Sequence, residues 1–315
     1  MKIFIPIINR IFPKHKTNKK EKISSKKQLE SRIDFYINKE GPFCDLNNLD
    51  VSSVKDMSHL FSRRTFYGDI SKWNVSNTED MSYMFAKSSF NGNLYEWDVS
   101  NVKNMESMFE GSSFDNDISK WDVSNVKNMS RMFFDSKFNN KIFKVKESSL
   151  TDISYMFANS AFNQYIGDWD VSSVIDMSGA FKNSYFQGNL SHWNVSKVKY
   201  MNGLFMNTFF NNDISKWDVS SVIDMSYMFY GGCFKQNINK WNISNVKNMS
   251  YMFTRTTSKK NIAEWNLKGI DVEGMYKSKS IAEDLENFTL SLFYGLPNFT
   301  DAFPKEFFIF QFLLG

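Results

Sequence analysis

The side chains best suited to chemistry in this 315-residue chain are three histidines, two cysteines and scattered Ser and Asp. His15, His59 and His192 stand far apart, and no Cys/His pair shares a repeat. Cys44 and Cys233 have no metal-type spacing and read as small buried side chains rather than a disulfide framework. The phosphate-loop pattern G-x-x-x-x-G-K, the dinucleotide pattern G-x-G-x-x-G and the zinc pattern H-E-x-x-H are all missing. Asn-x-Ser triplets such as Asn74–Ser76 and Asn242–Ser244 recur only because the sequence around them recurs. The expectation is a chain without enzymatic activity, cofactor or metal.

What does recur is tryptophan. Trp73, Trp97, Trp121, Trp169, Trp193, Trp217, Trp241 and Trp265 fall on one comb of 24 residues, with Leu49 and Val145 on the same comb. Counting from the Trp, most repeats carry Val or Ile at +2, Val or Leu at +5, Met at +8 and Phe at +12, as in Trp217, Val219, Val222, Met225 and Phe229. Around the Trp, apolar and polar residues alternate, the period of a strand. In D-M-S-Y-M-F, the spacing of Met225, Met228 and Phe229 suits one face of a helical turn. Asp or Asn precedes that turn, as at Asp56, Asp80 and Asn104, with Tyr200 as the exception, and an acceptor there would cap its free N–H groups. No single unit can bury its apolar set alone. The sequence therefore predicts an α/β solenoid: a leucine-rich-repeat-like, right-handed coil of ten 24-residue strand–turn–short-helix repeats, capped by helices.

The phrase W-D-V-S-N-V-x-x-M-S-x-M-F resembles the BspA-like leucine-rich-repeat surface proteins of bacteria, and within them the mycoplasma-type surface repeat. The resemblance covers residues 49–265, the greater part of the chain. It implies an interaction surface displayed at the cell exterior, and no common enzymatic activity. The N-terminus M-K-I-F-I-P-I-I-N-R shows neither a signal-peptide core nor a lipoprotein cysteine, which favours the alternative of an intracellular interaction protein. No stretch of about 20 apolar residues is present.

Four segments are expected. Residues 1–23 read as a disordered basic leader: nine Lys/Arg against Glu21 give residues 1–27 a charge of +8, so the remainder carries −4 of the total +4. Residues 24–48 read as a capping helix and its connection, started by Ser25 and Gln28 and stopped by Gly41-Pro42. Residues 49–272 are the solenoid. Residues 273–315 are a C-terminal cap, with a capping box at Ser280 and Glu283 and an apolar run from Phe307 to Leu314.

The residues flanking each Trp should face solvent. Lys72, Glu96, Lys120, Lys144, Asp168, His192, Lys216 and Lys240 precede it, while Asp98, Asp122, Asp170 and Asp218 follow it. These are the candidate partner-binding ladder, with surface-solubilising charge as the plainer alternative. Its balanced charge argues against nucleic acid, and membrane contact would come only through the leader. A second candidate face is the variable position +10, carrying Tyr83, Arg131, Tyr155, Tyr227 and Tyr251. A protein partner is the expectation. The repeat at Val145 lacks its Trp and puts Glu147 in a Val column, so the coil either bends there or turns Glu147 outward.

Overall fold

The computed structural model describes residues 20–256, 262 and 264–275. Residues 1–19 of the leader and the C-terminal segment beyond Met275, including Ser280, Glu283 and the run Phe307–Leu314, lie outside the described residues.

The first strand, β1 (Glu21–Lys22), pairs in parallel with β2 (Leu49–Asp50). Between them runs α1, Lys26–Glu40, whose ends are written in local chemistry. The Ser25 hydroxyl accepts from the Gln28 N–H, and Gln28 Oε1 accepts from the Ser24 N–H at 2.8 Å. Gly41 takes φ +83° and returns its N–H to the Ile37 carbonyl. Leu29, Ile33 and Tyr36 form the buried stripe of α1, and they join the core of the first coil. Lys26 reaches over the edge of that coil to Asp56 (3.2 Å) and the Ser58 hydroxyl (2.5 Å).

Beyond α1 the chain winds in coils laid on one another in register, one coil per repeat. Parallel bridges join Asp56, Asp80, Asn104, Asn128, Asp152, Asp176, Tyr200, Asp224, Asn248 and Asp271 in succession. This pairing corrects the expected alternation of strand and helix. The ladder lies in D-M-S-Y-M-F, read as helical, while the Trp segment read as a strand is turn and unpaired extended chain. Among the described residues α1 is the only α-helix.

The reason is visible in the hydrogen bonds. Met81, Tyr83, Phe85 and Lys87 donate their N–H groups to carbonyls of the next coil: Asn104, Glu106, Met108 and Glu110. The intervening Met84, Ala86 and Ser88 donate within the coil to Met81, Tyr83 and Phe85, three residues back. The segment is thus a ribbon of overlapping turns, and every other amide links coils. Two of these three turns, Met81–Met84 and Phe85–Ser88, place φ > 0 at their third residue. Position +10 does so at Tyr83 (+57°) and Arg131 (+56°), and position +14 at Lys87 (+55°) and Asn159 (+55°). A left-handed residue costs about 1–2 kcal/mol when it is not glycine, and it stops any α-helix. The pattern at +8, +11 and +12 misled because the ribbon and a helix point those three side chains to the same side.

The inside is aromatic. Phe at +12 stacks on its counterpart in the next coil at 5.5 Å (Phe61–Phe85, Phe85–Phe109) and on Phe at +17 of its own coil at 4.6 Å (Phe61–Phe66, Phe85–Phe90). The Trp rings pack against this column and are buried, Trp97 being 3% exposed. From Trp73 to Trp241 each indole N–H has a use: Trp97 donates to the Ile70 carbonyl (3.2 Å) and Trp121 to Leu94 (2.9 Å), both in the preceding coil, whereas the buried Trp265 indole N–H has no partner among the described residues. That bond ties the unpaired Trp segment to the stack.

The coil without a Trp stays closed. Phe143, two residues before the comb position, stacks on Trp169 at 5.5 Å and offers its carbonyl to the Trp169 indole. Val145 then fills the Val site and is buried, while Glu147 turns to solvent at φ +44°. Two residues lost before the indole site are regained after it, so Leu150 and the bridge at Asp152 return to register.

Candidate functional site

A coil must change direction several times within one repeat, and short polar side chains do the turning. At position −4, Asp117 Oδ1 accepts the Ser119 N–H (2.9 Å). At +1, Asp122 accepts from Ser124 (3.0 Å). At +7, Asn128 accepts from Ser130 (2.8 Å). At +15, the Ser136 hydroxyl accepts from Phe138 (3.1 Å). Each is an acceptor two residues before its donor, which locks a turn. The same bonds recur at Asp213, Asp218, Asp224 and Thr208 further along the stack.

Four of the twelve residues of the expected binding ladder are therefore part of the frame. Asp98, Asp122, Asp170 and Asp218 each hold the N–H of the Ser two residues on, at 3.0–3.1 Å. The hydroxyl and amide of Ser220 keep the Asp218 carboxyl below its usual range, and Ser172 does the same for Asp170. The Asn-x-Ser triplets serve this purpose too: Asn74 and Asn242 accept from Ser76 and Ser244.

Other polar columns run along the stack. Asn91, Asp115, Asn139 and Asn163 each accept the backbone N–H one coil on, at 2.9 Å. Asn77, Asn101, Asn125 and Asn245 donate their amides to Ser carbonyls of the coil before. Asn159, Asn183 and Asn207, all left-handed, form an amide chain at 2.8 and 2.9 Å.

The position before the Trp behaves differently. Its residues are exposed and take no common partner. Lys120 contacts Glu96, which raises the Lys120 pKa, and Asp168 accepts from the Tyr165 hydroxyl (2.7 Å). Lys72, Lys144, His192, Lys216 and Lys240 make no side-chain hydrogen bond or ion pair among the described residues. A shallow depression of about 460 Å³ lies between Lys72, Asn74 and Glu96. At +6, Glu79 is gripped by Lys103 (2.5 Å) and Lys55 (2.9 Å), and its pKa falls to about 2.

The residues at +10 line the turn ribbon. His59 and Tyr83 stack at 4.7 Å, and Tyr227 and Tyr251 at 4.9 Å. The Tyr83 hydroxyl donates to Glu106 (2.6 Å) and that of Tyr251 to Glu273 (2.9 Å). Arg131 binds Glu110 (3.1 Å) and covers the Phe134 ring. Tyr155 lies over Gly179, where a Cβ would come within 2.5 Å of the ring. Tyr83, Arg131, Tyr155, Tyr227 and Tyr251 are half-buried, and His59 is exposed.

Sequence reasoning missed one feature. Ile175 and Tyr200, each 40% exposed, sit at +6 and +7 of adjacent coils. Tyr200 stands where the other coils place the turn-forming Asp or Asn, so its departure from that column was the signal. Among the described residues no group of three or more His, Cys, Asp or Glu could hold a metal ion, and no helix is long and apolar enough to cross a membrane.

Coils that share one aromatic core, turn on side-chain acceptors and leave only their outer columns unengaged define a repeat protein. The chain belongs to the family described as Mycoplasma protein of unknown function, DUF285, whose model matches residues 34–145, 135–232 and 184–288. No curated protein and no solved structure matches it.

Proposed function

We propose that this chain is a leucine-rich-repeat-like solenoid serving as a non-enzymatic scaffold for protein binding, a BspA-like module displayed on the cell surface. The observation that carries this reading is the division of labour among the polar columns. The Asp, Asn and Ser columns are used up in turning and joining coils, whereas the position before the Trp is exposed and changes from coil to coil. Such a fixed frame with a varied outer row suits recognition of a protein surface. Lys144, His192, Lys216 and Lys240 are the contact residues of this reading, with Ile175 and Tyr200 supplying apolar contact on the flank.

Photo-crosslinkers placed singly at positions 144, 216 and 240 should capture one and the same protein on intact cells, while crosslinkers at 139 and 163, on the amide columns, should not. External protease should remove the crosslinked product without lysis. Capture that is equal at all five positions, or that occurs only after lysis, would refute the scaffold or its location respectively.

A further inference from the structure

Two Asn-Gly dipeptides occur in the chain, Asn91-Gly92 and Asn202-Gly203. In such a pair the main-chain nitrogen of the glycine can attack the preceding side-chain amide, because glycine puts no Cβ in the way. The attack needs a main-chain N–H that is not already engaged and a γ-carbon open to approach. The stack sets these conditions differently at the two places.

Asn202-Gly203 lies in the turn ribbon. Gly203 is buried, and its N–H donates to the Ser226 carbonyl of the next coil (2.8 Å). The Ser178 hydroxyl holds Asn202 Oδ1 at 2.6 Å. Attack there must first break a bond that joins two coils. Asn91-Gly92 lies on the amide column instead, and Asn91 is exposed. Neither the Gly92 N–H nor Asn91 Nδ2 finds an acceptor among the described residues. Asn91 Oδ1 accepts twice from the next coil, from the Asp115 N–H (2.9 Å) and from Asn116 Nδ2 (2.8 Å). Two donors on one carbonyl oxygen draw charge from its carbon and stabilise the negative oxygen of a tetrahedral adduct, as in an oxyanion hole.

This is also the one coil where the column's Asn precedes a glycine. Asn139, Asn163 and Asn211 are followed by Asn140, Gln164 and Asn212, whose side chains hinder the attack, while Gly68 and Gly188 follow Tyr67 and Gln187. Packing demands the glycine at 92, because a Cβ there would come within 2.6 Å of the Phe90 ring.

We propose that Asn91 and Gly92 form a self-modification site, at which the folded chain, with water as co-reactant, turns Asn91 into aspartate or isoaspartate. The Gly92 nitrogen loses its proton to solvent and bonds to Asn91 Cγ. The Cγ–Nδ2 bond breaks, and Nδ2 takes a proton from water and leaves as ammonia. Water then opens the cyclic imide, and nothing is oxidised or reduced. Opening at Cγ gives aspartate, which the column accommodates, since Asp115 holds the Asn139 N–H at 2.9 Å. Opening at the main-chain carbonyl gives isoaspartate, whose longer main chain and shorter side group release the Asp115 amide.

Peptide mapping by mass spectrometry on the full chain, held at mildly alkaline pH, tests this, with isoaspartate distinguished by electron-transfer fragmentation. In the chain unfolded by guanidinium the two dipeptides should convert at similar rates. In the native chain conversion at Asn202 should fall at least about tenfold below that at Asn91, because the joint between coils must open first. Asn116→Ala removes one donor to Oδ1 and should slow Asn91 roughly fivefold, while continued protection of Asn202 shows that the stack is folded. Equal native conversion at the two positions, or none at Asn91 while the unfolded chain converts, would overturn the proposal. Conversion at Asn91 that is as fast or faster in Asn116→Ala would overturn the part given to the next coil.

Discussion

Replacing Asp218 by Asn and by Ala separates a turn-forming carboxylate from a partner-binding one. Asp218 Oδ1 accepts the Ser220 N–H at 3.0 Å at an exposed corner between two apolar runs. A hydrogen bond of this type stabilises by about 0.5–1.5 kcal/mol net, and exposure to water favours the middle of that range. Ala removes the acceptor, so about 1 kcal/mol is lost, which raises the local opening constant roughly fivefold. Asn retains the acceptor oxygen and loses only charge, so its effect stays within about 0.5 kcal/mol. Global melting is the wrong assay, because stacked repeats need not unfold in one step. The Ser220 amide is itself the donor, so its hydrogen exchange in urea reads the bond directly. Ala should speed that exchange about fivefold and Asn should leave it nearly unchanged, with amides near Tyr83 unaffected in both. If Asn behaves like Ala, the charge matters rather than the turn, and Asp98, Asp122, Asp170 and Asp218 return to the binding ladder.

The depressed carboxyls of Asp117, Asp170 and Asp218 fix the sign of the acid response. Their contribution is complete above the ordinary carboxylate pKa of about 3.9 and disappears as pH falls through their lower folded values. Urea midpoints should therefore drop below about pH 4, and less so in the triple Asp→Asn variant. Gly179→Ala puts a methyl 2.5 Å from the Tyr155 ring at φ +59° and should cost about 1–3 kcal/mol, read from hydrogen exchange of the amides in that coil and its neighbours, with partial recovery on adding Tyr155→Ala. Trp121→Ala should cost about 3–5 kcal/mol. Trp121→Phe, which loses the bond to Leu94, should cost less, since the coil of Phe143 tolerates a phenyl ring at that site. Exchange of the coils on either side would show both effects. Raising salt toward 1 M should bring the Glu79 pKa up from about 2, because Lys103 and Lys55 hold it through solvent-exposed pairs.

The sequence by itself determined the period and the inside. Indole, thioether and phenyl groups recur in register from one repeat to the next, and burial is a property of side-chain chemistry and spacing alone. Ser25 and Gly41 set the ends of α1 because capping acts between residues three or four apart. Only the tertiary structure decided which part of each repeat carries the ladder. An amide that bonds to the neighbouring coil leaves no mark in the local pattern, and Met-x-x-Met-Phe suits a helical face and a turn ribbon alike. The neighbouring coil also decided what the polar columns do. Asp218 and Lys216 look equivalent beside Trp217, yet one aims at an amide two residues on and the other at water.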